Sequence, residues 1–227
     1  MDCRNCKNEK CIIRQHCLSE WLDYVQRVKT PTHLYERKRI FSEGDLVHGL
    51  YIVCTGKIML SMAIDDKHDD IVRLAGEGQI LGHRGFYDDM TYPVSADTIT
   101  PSELAFIPIE DFIKLVRKNS DFALFLISFY ASELLHSDRK LQLQISGSDR
   151  EKALYALQRV YEAFADKKAE DLWLELGLDL EKLANFASLS PEDFVEILDE
   201  FKAESKLVLE GDQIHVLDVD FFRKSIN

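Results

Sequence analysis

Apolar positions change their period three times along this chain. Leu18, Trp21, Leu22, Val25 and Val28 recur at three- and four-residue steps, which predicts a helical stripe within 18–36. From Ile40 to about Ile109 the pattern shortens. Ile52, Val53, Ile58, Leu60, Ile71, Val72 and Leu74 fall in brief β-rich runs, punctuated by Gly44, Gly49, Gly56, Gly76, Gly78, Gly82 and Gly85. Short strands separated by glycine turns predict an antiparallel barrel or roll. Residues 110–145 then turn helical. Leu124, Ile127, Ala131, Leu134, Leu141 and Ile145 form an a/d heptad seam with Asp138 in its one polar slot, and such a seam predicts pairing with a second copy of the chain.

Ser146-Gly147-Ser148-Asp149 breaks this pattern as a hinge. Beyond it the sequence predicts a helix over 150–165, a short strand Leu172–Leu174, and helices near 179–187 and 191–204. Strands Leu207–Leu209 and Ile214–Leu217 follow, joined by Glu210-Gly211-Asp212-Gln213. A helix–turn–helix followed by a β-hairpin is a winged helix, and Ser190-Pro191-Glu192 supplies a cap and a proline for its second helix. The expected fold is therefore α+β: an antiparallel β-roll of jelly-roll type, joined by a long dimerisation helix to a C-terminal winged helix–turn–helix. The expected boundaries are an arm over 1–20, the roll over 21–112, the dimerisation helix over 113–146 and the winged helix over 147–227.

Composition narrows the class. Of 227 residues, 46% are hydrophobic and 30% charged, which excludes disordered and low-complexity chains. No apolar run approaches the roughly 20 residues of a membrane span. Without a basic start ahead of an apolar stretch, no signal peptide is expected either. A cytoplasmic chain with reduced thiols is the expectation. Four of the five cysteines, Cys3, Cys6, Cys11 and Cys17, crowd the first seventeen residues. Four thiolates around one point hold zinc or an iron–sulfur cluster. A segment this short has no core of its own, so bound metal would be its main source of order. Zinc favours paired C-x2-C knuckles, and only one such pair occurs, so the spacing suits a cluster somewhat better. A disordered arm with incidental thiols remains open, and His16 is a possible substitute ligand. Cys54 lies in the apolar run Leu50-Tyr51-Ile52-Val53-Cys54 and reads as a small buried hydrophobe.

Phe41-Ser42-Glu43-Gly44-Asp45 and Leu50-Tyr51-Ile52-Val53-Cys54-Thr55-Gly56-Lys57-Ile58, with Ile80-Leu81-Gly82-His83-Arg84-Gly85-Phe86 and Tyr92-Pro93-Val94-Ser95-Ala96, carry a resemblance. The chain resembles the Crp/Fnr family of bacterial transcription regulators over nearly its whole length. The resemblance implies an effector pocket around Gly82, His83, Arg84, Tyr92 and Ser95. Cyclic-nucleotide binders of the family carry a glutamate after the glycine and an arginine about ten residues on. Here His83 and Pro93 stand near those places, so a cyclic nucleotide is not the expected ligand. The family's oxygen-sensing branch is similar in setting an N-terminal cysteine group before the roll, where three of its cysteines join one from the roll around a [4Fe–4S] cluster. That roll position falls near Ala105, so all four ligands are expected from Cys3, Cys6, Cys11 and Cys17.

Duplex DNA is the partner the resemblance implies, met by the second winged-helix helix through Ser188, Ser190, Glu192, Asp193 and Glu196. Charge opposes it. The net charge is −12 at a pI near 5.0, and residues 181–220 hold eleven acidic and three basic side chains, leaving −8. The arginines usual in that helix are replaced by Pro191 and Glu196, while Lys152, Arg159, Lys167 and Lys168 lie elsewhere to offset the charge. DNA affinity rests on phosphate neutralisation, so a protein-interaction role for the same scaffold is the competing expectation. No nucleophile elbow, P-loop or HExxH motif points to an enzyme.

Overall fold

Pro31 ends the first helical stripe earlier than its periodicity predicts. The computed structural model describes residues 3–64, 69–86, 89–165, 173–175, 177–211 and 213–224. Leu172, Asp212, Lys167 and Lys168, named above, lie outside the described residues. In the arm, α1 (Ile12–His16) and α2 (Ser19–Val28) precede an extended Lys29 and β1 (Thr30–Leu34). Proline lacks an N–H and drives the residue before it out of the helical region, while Thr30 and Thr32 favour strand. The strand tolerates Pro31 because β1 is an edge strand.

The roll follows with β2 (Arg39–Phe41), β3 (Gly49–Thr55), β4 (Ile58–Ala63), β5 (Asp69–Ala75), β6 (Ile80–Leu81), β7 (Ser95–Thr98) and β8 (Ser102–Pro108). One antiparallel sheet has the order β1-β8-β3-β6, and β2, β7 and β4 neighbour one another in a second. In β3, Leu50, Ile52, Val53 and Cys54 are all buried, so this strand is covered on both faces. Leu50, Ile52 and Cys54 share a core cluster with Ile12, Ile13, Val25, Ala105, Ile107, Phe112 and Phe122. The arm and the first helices after the roll thus cover that face of the sheet.

The 110–145 stretch is two helices, α3 (Ile109–Lys118) and α4 (Ser120–Ser146). The break is at Asn119, fully buried, whose side-chain oxygen accepts from the Phe122 N–H. After it come α5 (Asp149–Phe164), β9 (Trp173–Glu175), α6 (Leu180–Ala187), α7 (Pro191–Ala203), β10 (Leu207–Glu210), β11 (Gln213–Val216) and α8 (Val219–Lys224). The last sheet is antiparallel with order β10-β11-β9. Ser148 and Glu151 close a capping box at α5, and Asp179 caps α6. Contacts divide the chain into two compact units, Met1–Asp69 with Ala75–Leu134 and Asp70–Leu74 with Leu135–Asn227, so the division falls inside α4. No described helix is long and apolar enough to cross a membrane.

Candidate thiol site and winged-helix surface

Gly78 lets the arm lie against the roll. Its φ is +85°, and a Cβ built there would sit 2.3 Å from the Lys10 carbonyl. The backbone is stitched at the same place: Ile12 N–H donates to Gly78 O at 3.1 Å, and Gly78 N–H to Val53 O at 2.7 Å. The Asn8 side chain adds a donor to Cys54 O at 3.3 Å.

This docking closes a small apolar cavity lined by Cys3, Cys6, Cys11, Cys54, Ala105 and Lys29, among others. None of the five cysteines is in a disulfide. Lys29 Nζ donates to Cys3 Sγ at 3.2 Å, and an Arg14 guanidinium donates to Cys6 O. Burial raises the Cys11 thiol above its ordinary value and pushes Cys54 up to about 11, with the Glu103 carboxylate a smaller contribution to the latter. Cys17 is also pushed up to about 12 by burial, but it does not line the cavity. His16 stacks on Phe125 with ring centroids 3.8 Å apart and lies outside the lining too. Three of the four arm thiols line this cavity, and Cys54, expected as a small buried hydrophobe and buried here, lines it as well. The alternation of Ile52 and Cys54 along one strand was the available signal.

The donor set discriminates between metals. Zinc needs all its sulfurs about 2.3 Å from one point, and among the described residues no three His, Cys, Asp or Glu groups converge that way. A four-iron cluster spreads its thiolates around a cube, one to each iron, and suits a wider ring of cysteines. The void between the thiols is about 30 Å³, roughly one water's share of the liquid. A cluster therefore needs the arm to shift outward, and the arm's own regular structure before Cys17 is a single five-residue helix.

The expected effector residues separate into three settings. Gly82, at φ +81°, leaves room for the Tyr92 ring, which a Cβ would approach to 2.8 Å. Tyr92 is buried, stacks on Phe41 and donates to Gly49 O at 2.7 Å, and burial pushes its hydroxyl up to about 12. His83, 1% exposed, and Arg84 both approach Glu133 of α4, at 3.9 and 3.2 Å. Ser95 accepts from Arg39 Nη1 at 2.9 Å and from the Glu43 N–H at 3.0 Å. An aromatic side chain thus fills the space beside the glycine.

On α4, Leu124, Ile127, Leu134 and Leu141 are exposed by 64, 67, 62 and 55%, and Ala131 is exposed between them. The opposite side, with Phe122, Leu126 and Leu143, is buried. In the winged helix, Ser188 adopts a left-handed turn at φ 58° and accepts from Gln144 at 3.0 Å, and Ser190 caps α7. Phe194, Ile197, Leu198 and Phe201 are buried, so the face of α7 left to solvent carries Glu192, Asp193, Glu196 and Asp199. Arg150 is engaged by Glu200 and Glu204, at 2.9 and 2.7 Å.

Residues 31–119 match the sequence profile of the cyclic nucleotide-binding domain. The Cyclic AMP receptor protein of Thermus thermophilus is 30% identical over 139 residues, 61% of this chain and 62% of that protein. The cAMP-activated global transcriptional regulator CRP of Haemophilus influenzae is 26% identical over 116 residues, 49% of this chain and 52% of its own. The matched region thus spans less than two thirds of either relative. The fold of FixK2 from Bradyrhizobium japonicum superposes with a TM-score of 0.74 at 17% identity, covering 87% of this chain and 96% of that one.

Proposed function

We propose that the chain is a Crp/Fnr-type regulator of transcription, homodimeric and cytoplasmic, that reads a redox signal through its N-terminal thiols; the profile match over residues 31–119, the similarity to the Thermus receptor protein and the shared fold support this reading. The carrying observation is the cavity in which arm thiols and a roll thiol meet, packed into the same core cluster as Phe122 and Leu126 at the start of α4. Bound there, an iron–sulfur cluster would supply a group whose charge and integrity change on oxidation. Cys3, Cys6 and Cys11 would hold it, Lys29 would offset negative charge at Cys3, and the apolar walls would limit water. Movement of the arm would then be felt at α4, whose exposed Leu124, Ile127, Leu134 and Leu141 suit a second copy of themselves. A cyclic nucleotide is not the proposed effector, because Tyr92 occupies the space beside Gly82 and offers no cation for a phosphate.

The test is anaerobic purification with iron and sulfide analysis, followed by DNA binding before and after air. Brown protein whose duplex affinity changes on oxidation supports the reading. Colourless, metal-free protein rejects it. The acidic face of α7 favours a second reading, in which this surface meets a basic protein instead of DNA. A steep negative dependence of duplex affinity on salt supports DNA, and no measurable affinity supports the second reading.

A further inference from the structure

We propose that Lys140 is a latch that couples β5 to the winged helix: Asp70 and the Ile71 carbonyl hold its ammonium over Phe186 of α6, so that a displacement of β5 releases α6 from α4. The second compact unit takes in Asp70–Leu74 of β5 together with Leu135–Asn227, so all the groups involved belong to one body. The chain enters that unit at Asp70 and leaves it after Leu74, between Asp69 and Ala75 of the first unit. Inside it, Lys140 Nζ donates to both carboxylate oxygens of Asp70, at 3.1 and 3.3 Å, and to the Ile71 carbonyl at 2.8 Å. A lysine ammonium has three N–H donors, and these three acceptors use them all. Its charge also lies 5.3 Å from the centre of the Phe186 ring, within the range at which an aromatic face attracts a cation. The Lys140 side chain is mostly buried, so an ammonium stripped of its carboxylate there is costly.

Lys140 and Gln144 stand four residues apart on α4 and therefore share a face. Gln144 donates to Ser188 Oγ at 3.0 Å, and Ser188 caps the C-terminus of α6. Phe186 lies in the last turn of that helix and is buried. Two successive turns of α4 thus grip the end of the first helix of the helix–turn–helix. Ser146 ends α4 and Asp149 begins α5, so the grip lies within two turns of the hinge and restrains the winged helix through side chains as well as backbone. The Gln144 contact is neutral and local, whereas that of Lys140 carries a second anchor in β5. Drawing Asp70 away leaves the ammonium short of its acceptors and loosens its hold on Phe186. A signal that shifts β5 thereby reaches α6 without passing through the hinge backbone. The latch is independent of what the arm thiols sense.

Hydrogen–deuterium exchange read by mass spectrometry on the full chain tests this, with Asp70→Asn, Lys140→Met and the double variant beside the parent. Each single variant should speed exchange at the α6 amides about fivefold, and the double variant should go no further than either single one, because both remove the same link. The β3 amides should keep the parent's rates. Unchanged α6 exchange in Asp70→Asn overturns the latch. So do effects that add in the double variant, since Asp70 would then act on α6 by a route other than Lys140. A rise of equal size at β3 overturns it as well, because the pair would then support stability in general and not the hold on α6.

Discussion

Arg84, one residue beyond the buried His83, reaches Glu133 of α4 at 3.2 Å. The carboxylate side chain is 11% exposed and also lies 3.9 Å from His83 Nε2. Tyr130, one turn earlier on the helix, donates to the His83 carbonyl at 2.7 Å. The turn that follows β6 is thereby tied to α4 by one charged and one neutral contact. Removing the carboxylate leaves a half-buried guanidinium without this partner, a change that costs about 1–3 kcal/mol. Glu133→Ala should lower the urea midpoint accordingly, and Glu133→Gln, which keeps an acceptor, should lower it less. Equal midpoints for parent and Glu133→Ala would remove this tie from the account.

Gly78→Ala should undock the arm. Its Cβ would meet backbone atoms of Lys10 and Cys11 at 2.3 and 2.7 Å, and neither is a flexible side-chain end that can yield. The left-handed φ adds a penalty on the order of 1 kcal/mol. Trypsin should cut the variant faster at Lys7, Lys10 or Arg14 than it cuts the parent, with cleavage elsewhere unchanged. An equally protected arm would show that the close approach at Gly78 relaxes cheaply.

Leu134→Glu should dissociate the proposed dimer. Leu134 is 62% exposed in the single chain, and Ile127 and Leu141, one heptad to either side, are 67 and 55% exposed. A carboxylate in the middle of that stripe would be buried without a partner on pairing. Sedimentation should give the mass of one chain for the variant and two for the parent. A two-chain mass for the variant would move the interface elsewhere.

High pH should destabilise the metal-free protein more than an ordinary acidic chain. Burial holds Cys17 up to about 12 and Cys54 up to about 11, against 9.0 for an unburied thiol. Below pH 9 both folded and unfolded chains keep these protons, so the contribution is flat. Above it the unfolded chain releases protons that the folded chain retains, and stability falls as pH rises towards 12. Urea midpoints measured across that window should fall less steeply for Cys17→Ser than for the parent. Parallel curves would mean that Cys17 titrates as an exposed thiol.

The parts of the molecule written in local pattern were legible in the sequence. Glycine-spaced β runs marked the roll, and the Ser190-Pro191 pair marked the start of α7, where the serine caps and the proline occupies the first turn. The helical stripe from Leu18 was overextended because period alone ignores Pro31, whose missing N–H suits an edge strand. Cys54 was legible as a small buried hydrophobe from its apolar run, and it is buried in the core cluster; that it also lines the cavity under the arm depends on the packing of the arm against the roll, which local pattern does not carry. Tyr92 was expected in an effector pocket, but its ring turns inward onto Phe41 and Gly82, and the stack on Phe41 joins segments far apart in sequence, which local pattern does not carry.

Restoring arginine on α7 should convert weak or absent DNA binding into strong binding, if the helix meets the major groove as the family does. Pro191 occupies the first turn of α7 with a capping Ser190, and Glu196 stands on the exposed face one turn later. Neither side chain packs in the core, so Pro191→Arg and Glu196→Arg should fold normally. Each new arginine replaces a neutral or negative group with a cation, and an arginine that reaches a phosphate steepens the salt dependence by about one in logarithmic slope. Fluorescence anisotropy with a duplex, titrated from low to moderate salt, should show at least a tenfold gain for the double variant and a steeper slope than the parent's. The remaining carboxylates, Glu192, Asp193 and Asp199, flank the same face, so a single arginine should recover only part of this gain. If the double variant binds no better than the parent, α7 is not the surface that faces DNA, and the acidic face is better explained by a basic protein partner.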